Sequence, residues 1–241
     1  MPWFMSNTTS KLPTRNQHGG MLANLGLNLI IPTLILTKLS KEEYLGPNWA
    51  IVVALAFPIL YGLKDFSATR KPNMFSILGV ISISLTGGIS LLQLDPQYIA
   101  IKEAGIPGLL GIATLISLYT RFPLVRTFLF NEQIMQVDKI TQAARDHGTE
   151  PELDKRLTRA TYLIACSFFL SSVLNYLLAK WVLVSAPGTT EFTQELGKMT
   201  ALSFPVIAIP SMIVMTISLI YLFMGIEKFT DLKLEDILQQ H

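Results

Sequence analysis

Long uncharged apolar runs alternate with short charged breaks along this chain. No Asp, Glu, Lys or Arg occurs between Arg15 and Lys38, Glu43 and Lys64, Lys71 and Asp95, Glu103 and Arg121, Arg159 and Lys180, or Lys198 and Glu227. These gaps hold 22, 20, 23, 17, 20 and 28 residues. A helix needs about 20 apolar residues to cross ~30 Å of hydrocarbon. The runs are continuously apolar rather than alternating, which favours helices over barrel strands. The pattern predicts an all-α fold, a polytopic membrane bundle of six transmembrane helices.

The expected organisation has five parts: a polar tail over 1–20, helices 1–4 over 21–118, a partly helical connector over 119–158, helices 5–6 over 159–226, and a tail over 227–241. Lys and Arg alternate in density between the two sides. Fourteen fall on the side of the termini, the 64–71 loop and the connector, and five on the other. The positive-inside rule then puts both termini in the cytoplasm. The first apolar run reads as an uncleaved signal anchor.

Composition agrees. Half of the 241 residues are apolar and 15% are charged, against roughly 25% in an ordinary soluble domain. A net charge of +2 gives no reason to expect a nucleic-acid partner. The single cysteine, Cys166, lies inside a span and reads as a small buried residue. His18, His147 and His241 are scattered without metal-ligand spacing, so no metal is expected. No nucleophile elbow or Cys/His pair is present, so neither enzymatic activity nor a cofactor is expected.

The connector has its own pattern. Pro123 in RFPLVR disfavours helical geometry at Phe122 and ends helix 4. Ile134, Val137, Ile140 and Ala144 follow at helical spacing, suited to a membrane surface or to packing against the bundle. Gly148 stops that helix. A new helix starts near Thr149, with Glu152 and Arg156 at an i,i+4 spacing.

Polar residues within apolar sequence supply the candidate chemistry. Asp95-Pro96 opens helix 4, with Asp as cap and Pro at the first helical position. Lys102 and Glu103 lie about two turns in. They either anchor the helix at the headgroups or line an outward-facing polar pocket with Asp95. ALAFP at 54–58 returns as ALSFP at 201–205, an offset of 147 that also relates Asn28 to Asn175. The match reads either as a duplicated hairpin or as coincidence. As a duplication it sets Asn28 and Asn175 in equivalent places, and transporters often carry sites at such interfaces. The candidate polar pathway or pocket is therefore Asn28, Asp95, Lys102, Glu103 and Asn175. Gly105, Gly108 and Gly111 suit close helix packing. Pro32, Pro58, Pro107, Pro205 and Pro210 free backbone carbonyls that need other partners.

RKPNMFSILG, TGGISLL, LDPQYIAIK and RFPLVRTFL, within residues 70–131, resemble the intracellular septation protein A family and its bacterial membrane-protein relatives. NLIIPTLILTKLS and FPILYGLKDF resemble those relatives too. The resemblance implies a multispanning bacterial inner-membrane protein tied to envelope integrity and division. It carries over no catalytic residue, and only Asp95 and Lys102 fall on the shared pattern. Two functions remain open: a non-enzymatic envelope factor acting through membrane-protein partners, including further copies of itself, or a small-solute or ion transporter.

Overall fold

The structure, a computed structural model, describes residues 30–69, 74–120 and 135–237. Asn28, Pro123 and Ile134 lie outside the described residues, as do the first 29 residues, residues 70–73 and 121–134, and the last four residues.

The described helices are α1 (Ile31–Lys38), α2 (Gly46–Thr69), α3 (Met74–Leu91), α4 (Gln97–Ser117), α5 (Val137–Asp146), α6 (Glu150–Val182), α7 (Thr190–Ser203), α8 (Ile209–Thr230) and α9 (Leu234–Ile237). A π-helical stretch, Phe204–Ala208, joins α7 to α8, so the helix is continuous over 41 residues from Thr190 to Thr230. Three described helices are long and apolar enough to cross a membrane: Gln97–Ser117, Glu150–Val182 and Thr190–Thr230. Gly46–Leu60 and Ile81–Leu91 are shorter apolar helices.

The last charge-free run begins after Lys198, yet its helix begins at Thr190. Charge marks where a chain suits lipid; backbone hydrogen bonding marks where a helix starts. Thr189 caps this one, its hydroxyl accepting from Phe192 N–H at 3.2 Å. Glu195 turns back onto the preceding connection. It accepts from the N–H groups of Val184 (3.0 Å) and Ser185 (2.9 Å) and from the Ser185 hydroxyl (2.7 Å). Its charge is therefore used inside the hairpin.

Connections 39–45, 92–96 and 183–189 gather at one end. Thr190 donates to Ser40 O at 3.5 Å, and Gly188 lies against the Gln93 side chain. Exposed aromatic residues flank these connections: Tyr44, Trp49, Tyr98 and Trp181. Such residues favour a membrane–water interface. Along α8, exposed Ile209, Ile213, Ile217, Ile220 and Met224 form one helical stripe, and α4 repeats it with Leu109, Ile112 and Ile116. These faces suit hydrocarbon and would be unusual in water.

The core has two parts. The first joins α1, α2, α4, α6 and α7 through residues such as Ile35, Leu36, Ala50, Ile99, Leu178 and Phe192. The second lies at the opposite end, where Ile140 and Ala144 of α5 pack with Leu153, Leu157 and Ala160 of α6, Leu222 and Ile226 of α8, and Ile237 of α9. At 1.5 Å per residue, α6 is about 50 Å long and α7–α8 about 61 Å. Both outrun ~30 Å of hydrocarbon, and α5 packs on their surplus. The connector helix thus packs against the bundle. Gly148 ends it in the left-handed conformation, φ +67°, and Thr149 ties the junction to α8 by donating to Phe229 O at 2.6 Å.

The sequence repeat has a partial counterpart. Two helix–connection–helix hairpins, α1–α2 and α6–α7, each turn through seven residues, 39–45 and 183–189. The connections are 144 residues apart and the motifs 147. The motif therefore lies three residues deeper in the second hairpin. Pro205 also falls in a π stretch, whereas Pro58 lies inside α2.

Candidate functional site

The α3–α4 hairpin holds Lys102. The Asp95 carboxylate accepts from Gln97 N–H at 2.7 Å. Pro96 already has helical dihedrals, φ −53° and ψ −21°, so Asp95 occupies the cap position and Pro96 the first helical one. The exposed Asp95 is thereby an end-fastener for α4.

Six residues into α4, counting from Gln97, Lys102 turns onto α3. Its ammonium donates to Ser82 O (3.2 Å), Ser82 Oγ (3.1 Å), Thr86 Oγ1 (2.5 Å) and Glu103 Oε1 (2.7 Å). An ammonium has three N–H donors, so these four acceptors leave none idle. The Lys102 side chain is 9% exposed and that of Glu103 25%. Lys102 is therefore not reaching for the headgroups. A charge this buried is tolerable only when paired and hydrogen-bonded, and here both conditions hold.

The sequence contained a signal for this contact. Thr86 and Lys102 each stand eight residues from Leu94, mid-turn of the hairpin. Ser82 lies one turn before Thr86 on the same face. The α3 hydroxyls therefore serve α4 as well as their own helix. Thr86 does donate to Ser82 O, at 3.1 Å, and its oxygen still accepts from Lys102.

Asn175 lies elsewhere. Its amide donates to Ser171 O at 2.8 Å and to Ser171 Oγ at 3.4 Å, both on its own helix. The adjacent face of α6 packs on α4: Ser172 and Phe169 fill the space a side chain at Gly108 or Gly111 would take. Gly105 has no such neighbour, so two of the three glycines serve close packing. Ser172 also donates to Ala104 O at 2.7 Å. That carbonyl lies three residues before Pro107, where proline loosens the backbone ladder. On α4, residues 104, 108 and 111 face α6. Lys102 is two residues from Ala104, about 200° around the helix. α4 thus stands between Lys102 and the α6 face that carries Asn175. Asp95, Lys102 and Glu103 share one hairpin; Asn175 does not join them.

A second polar contact went unread in the sequence. Arg156 of α6, rather than pairing with Glu152, donates from Nε to Tyr221 O of α8 at 2.9 Å. Its guanidinium lies over the Tyr221 ring, 3.3 Å from the centroid. Gly225, one turn on, leaves room for the arginine stem; that glycine was the available signal.

Among the described residues, no three His, Cys, Asp or Glu side chains stand together as a metal site. The arrangement defines a class: an all-helical chain, among the described residues, with three helices long and apolar enough to cross a membrane and a part-buried ion pair on α4 that faces α3. Comparison with known protein families, curated proteins and solved structures finds no match.

Proposed function

We propose that the chain is a six-helix protein of the bacterial inner membrane, with both termini cytoplasmic, that serves the cell envelope by binding other membrane proteins rather than by catalysis. The observation that carries this reading is the disposition of its polar residues. Lys102 is saturated inside one hairpin, Asn175 is bonded to its own helix, and α4 separates them. That suits a packed scaffold better than a wetted route. The likeness of residues 70–131 to septation protein A sequences gives the reading its envelope context. The polar outer face of α5, with Asp138, Gln142 and Asp146 exposed, is a surface that partners could use.

A second reading, a small-solute or ion transporter, draws support from the π stretch at Phe204–Ala208 with Pro205 inside it and Pro210 beyond. Interruptions of this kind often mark functional hinges.

Depleting the protein from its host separates the two. On the envelope reading, depleted cells filament or become detergent-sensitive while solute uptake is unchanged. Normal division and envelope resistance, together with lost uptake of one solute, would contradict it.

A further inference from the structure

Arg156 and Arg159 meet Tyr221 where α6 and α8 reach the edge of the apolar zone. Arg159 is the last charge before the twenty uncharged residues that end at Lys180. Across from it, Ile220 and Met224 of α8 are still apolar and exposed, and Glu227 is the first charge after them. Exposed Tyr162, one turn beyond Arg159, has the character of an interfacial aromatic residue. Three features therefore put the two guanidinium groups at headgroup depth.

Their partners are unusual for arginines at such a depth. Arg156 is held by the Tyr221 carbonyl and ring, and Arg159 stands beside the Tyr221 hydroxyl. Neither pairs with a carboxylate among the described residues. Glu152, one turn before Arg156, is exposed, and Arg156 is turned away from it onto Tyr221. Two adjacent cations with no carboxylate partner among the described residues, at the edge of hydrocarbon, favour an anion. The planar guanidinium fork fits a phosphate better than a point charge does. The stacking on Tyr221 and the gap at Gly225 fix Arg156 before any ligand arrives, which lowers the ordering cost of binding.

We infer that Arg156 and Arg159, set against Tyr221, form a binding site for a phosphate-bearing anion, supplied by an acidic phospholipid headgroup or by free phosphate. The site is separate from the partner-binding reading above and does not depend on it.

The test uses the full chain in neutral detergent, titrated with phosphatidylglycerol and, separately, with phosphatidylcholine; bound lipid is counted by native mass spectrometry. Phosphatidylglycerol should bind in preference. Arg159→Gln should weaken it about tenfold, the scale of one charge-assisted contact, and Arg156→Gln should do the same. Arg159 is exposed, so its variant should keep the wild-type unfolding midpoint and remain informative if the Arg156 variant folds poorly. Inorganic phosphate then distinguishes the sources. Displacement of the lipid at similar concentrations assigns the site to free phosphate; no displacement assigns it to the headgroup. Equal binding of both lipids, or unchanged phosphatidylglycerol affinity in Arg159→Gln, would overturn the inference.

Discussion

Glu103→Leu is expected to destabilise the protein by about 2 kcal/mol, below the ~3–5 kcal/mol scale for a fully buried pair because the Glu103 side chain is 25% exposed. The substitution leaves the Lys102 ammonium, with its 9% exposed side chain, only neutral acceptors. The cost arises from the stranded charge, so removing both charges should recover most of it. Lys102→Met combined with Glu103→Leu should unfold within about 1 kcal/mol of the wild type. Unfolding titrations in mixed micelles would measure both. A neutral Glu103→Leu would show that Lys102 reaches water and is not held as described.

The second large effect concerns α1 and α7. A Cβ at Gly197 would lie 2.7 Å from Thr37 Cγ2, 2.9 Å from Leu36 Cβ and 3.3 Å from Thr33 O. Two of these atoms are on or next to the backbone and cannot rotate away. Gly197→Leu should therefore push the helices apart and cost about 3 kcal/mol, the upper end for overpacking. Gly88 is the control. A Cβ there meets nothing within 4 Å, and alanine is the better helix former. Gly88→Ala should be neutral or stabilising by up to about 1 kcal/mol. Equal losses at both positions would mean that α7 does not pack closely on α1.

These contrasts show what the sequence could and could not disclose. Helix type and approximate position were legible because charge-free length is a direct consequence of hydrocarbon thickness. The start at Thr190 was not, because Glu195 is absorbed by hydrogen bonds to residues 184 and 185 and so does not mark an end. Asp95 was legible as a cap, since capping depends on residues adjacent in sequence. The partners of Lys102 were not recognised, because hairpin register has to be assumed before Thr86 and Ser82 can be set opposite it. Arg156 was assigned to Glu152 by local spacing, yet it bonds a carbonyl 65 positions away. A preference worth a few tenths of a kcal/mol yields readily to a tertiary contact with an aromatic ring. The glycine series was half informative: spacing named three positions, and packing against α6 uses Gly108 and Gly111.

The most direct test of the account asks whether water reaches both sides of α4. Cys166 is exposed rather than buried as its place in an apolar run suggested. With it replaced by Ser, single cysteines at positions 86 and 175 are exposed to a small membrane-impermeant thiol reagent in intact membranes. Exposed Val184, in the 183–189 connection, serves as the labelled reference. The account predicts rapid labelling at 184 and protection at both 86 and 175. Labelling of 86 and 175 at rates near that of 184 would contradict it, because a wetted route would then run where a packed hairpin and a self-bonded asparagine are described.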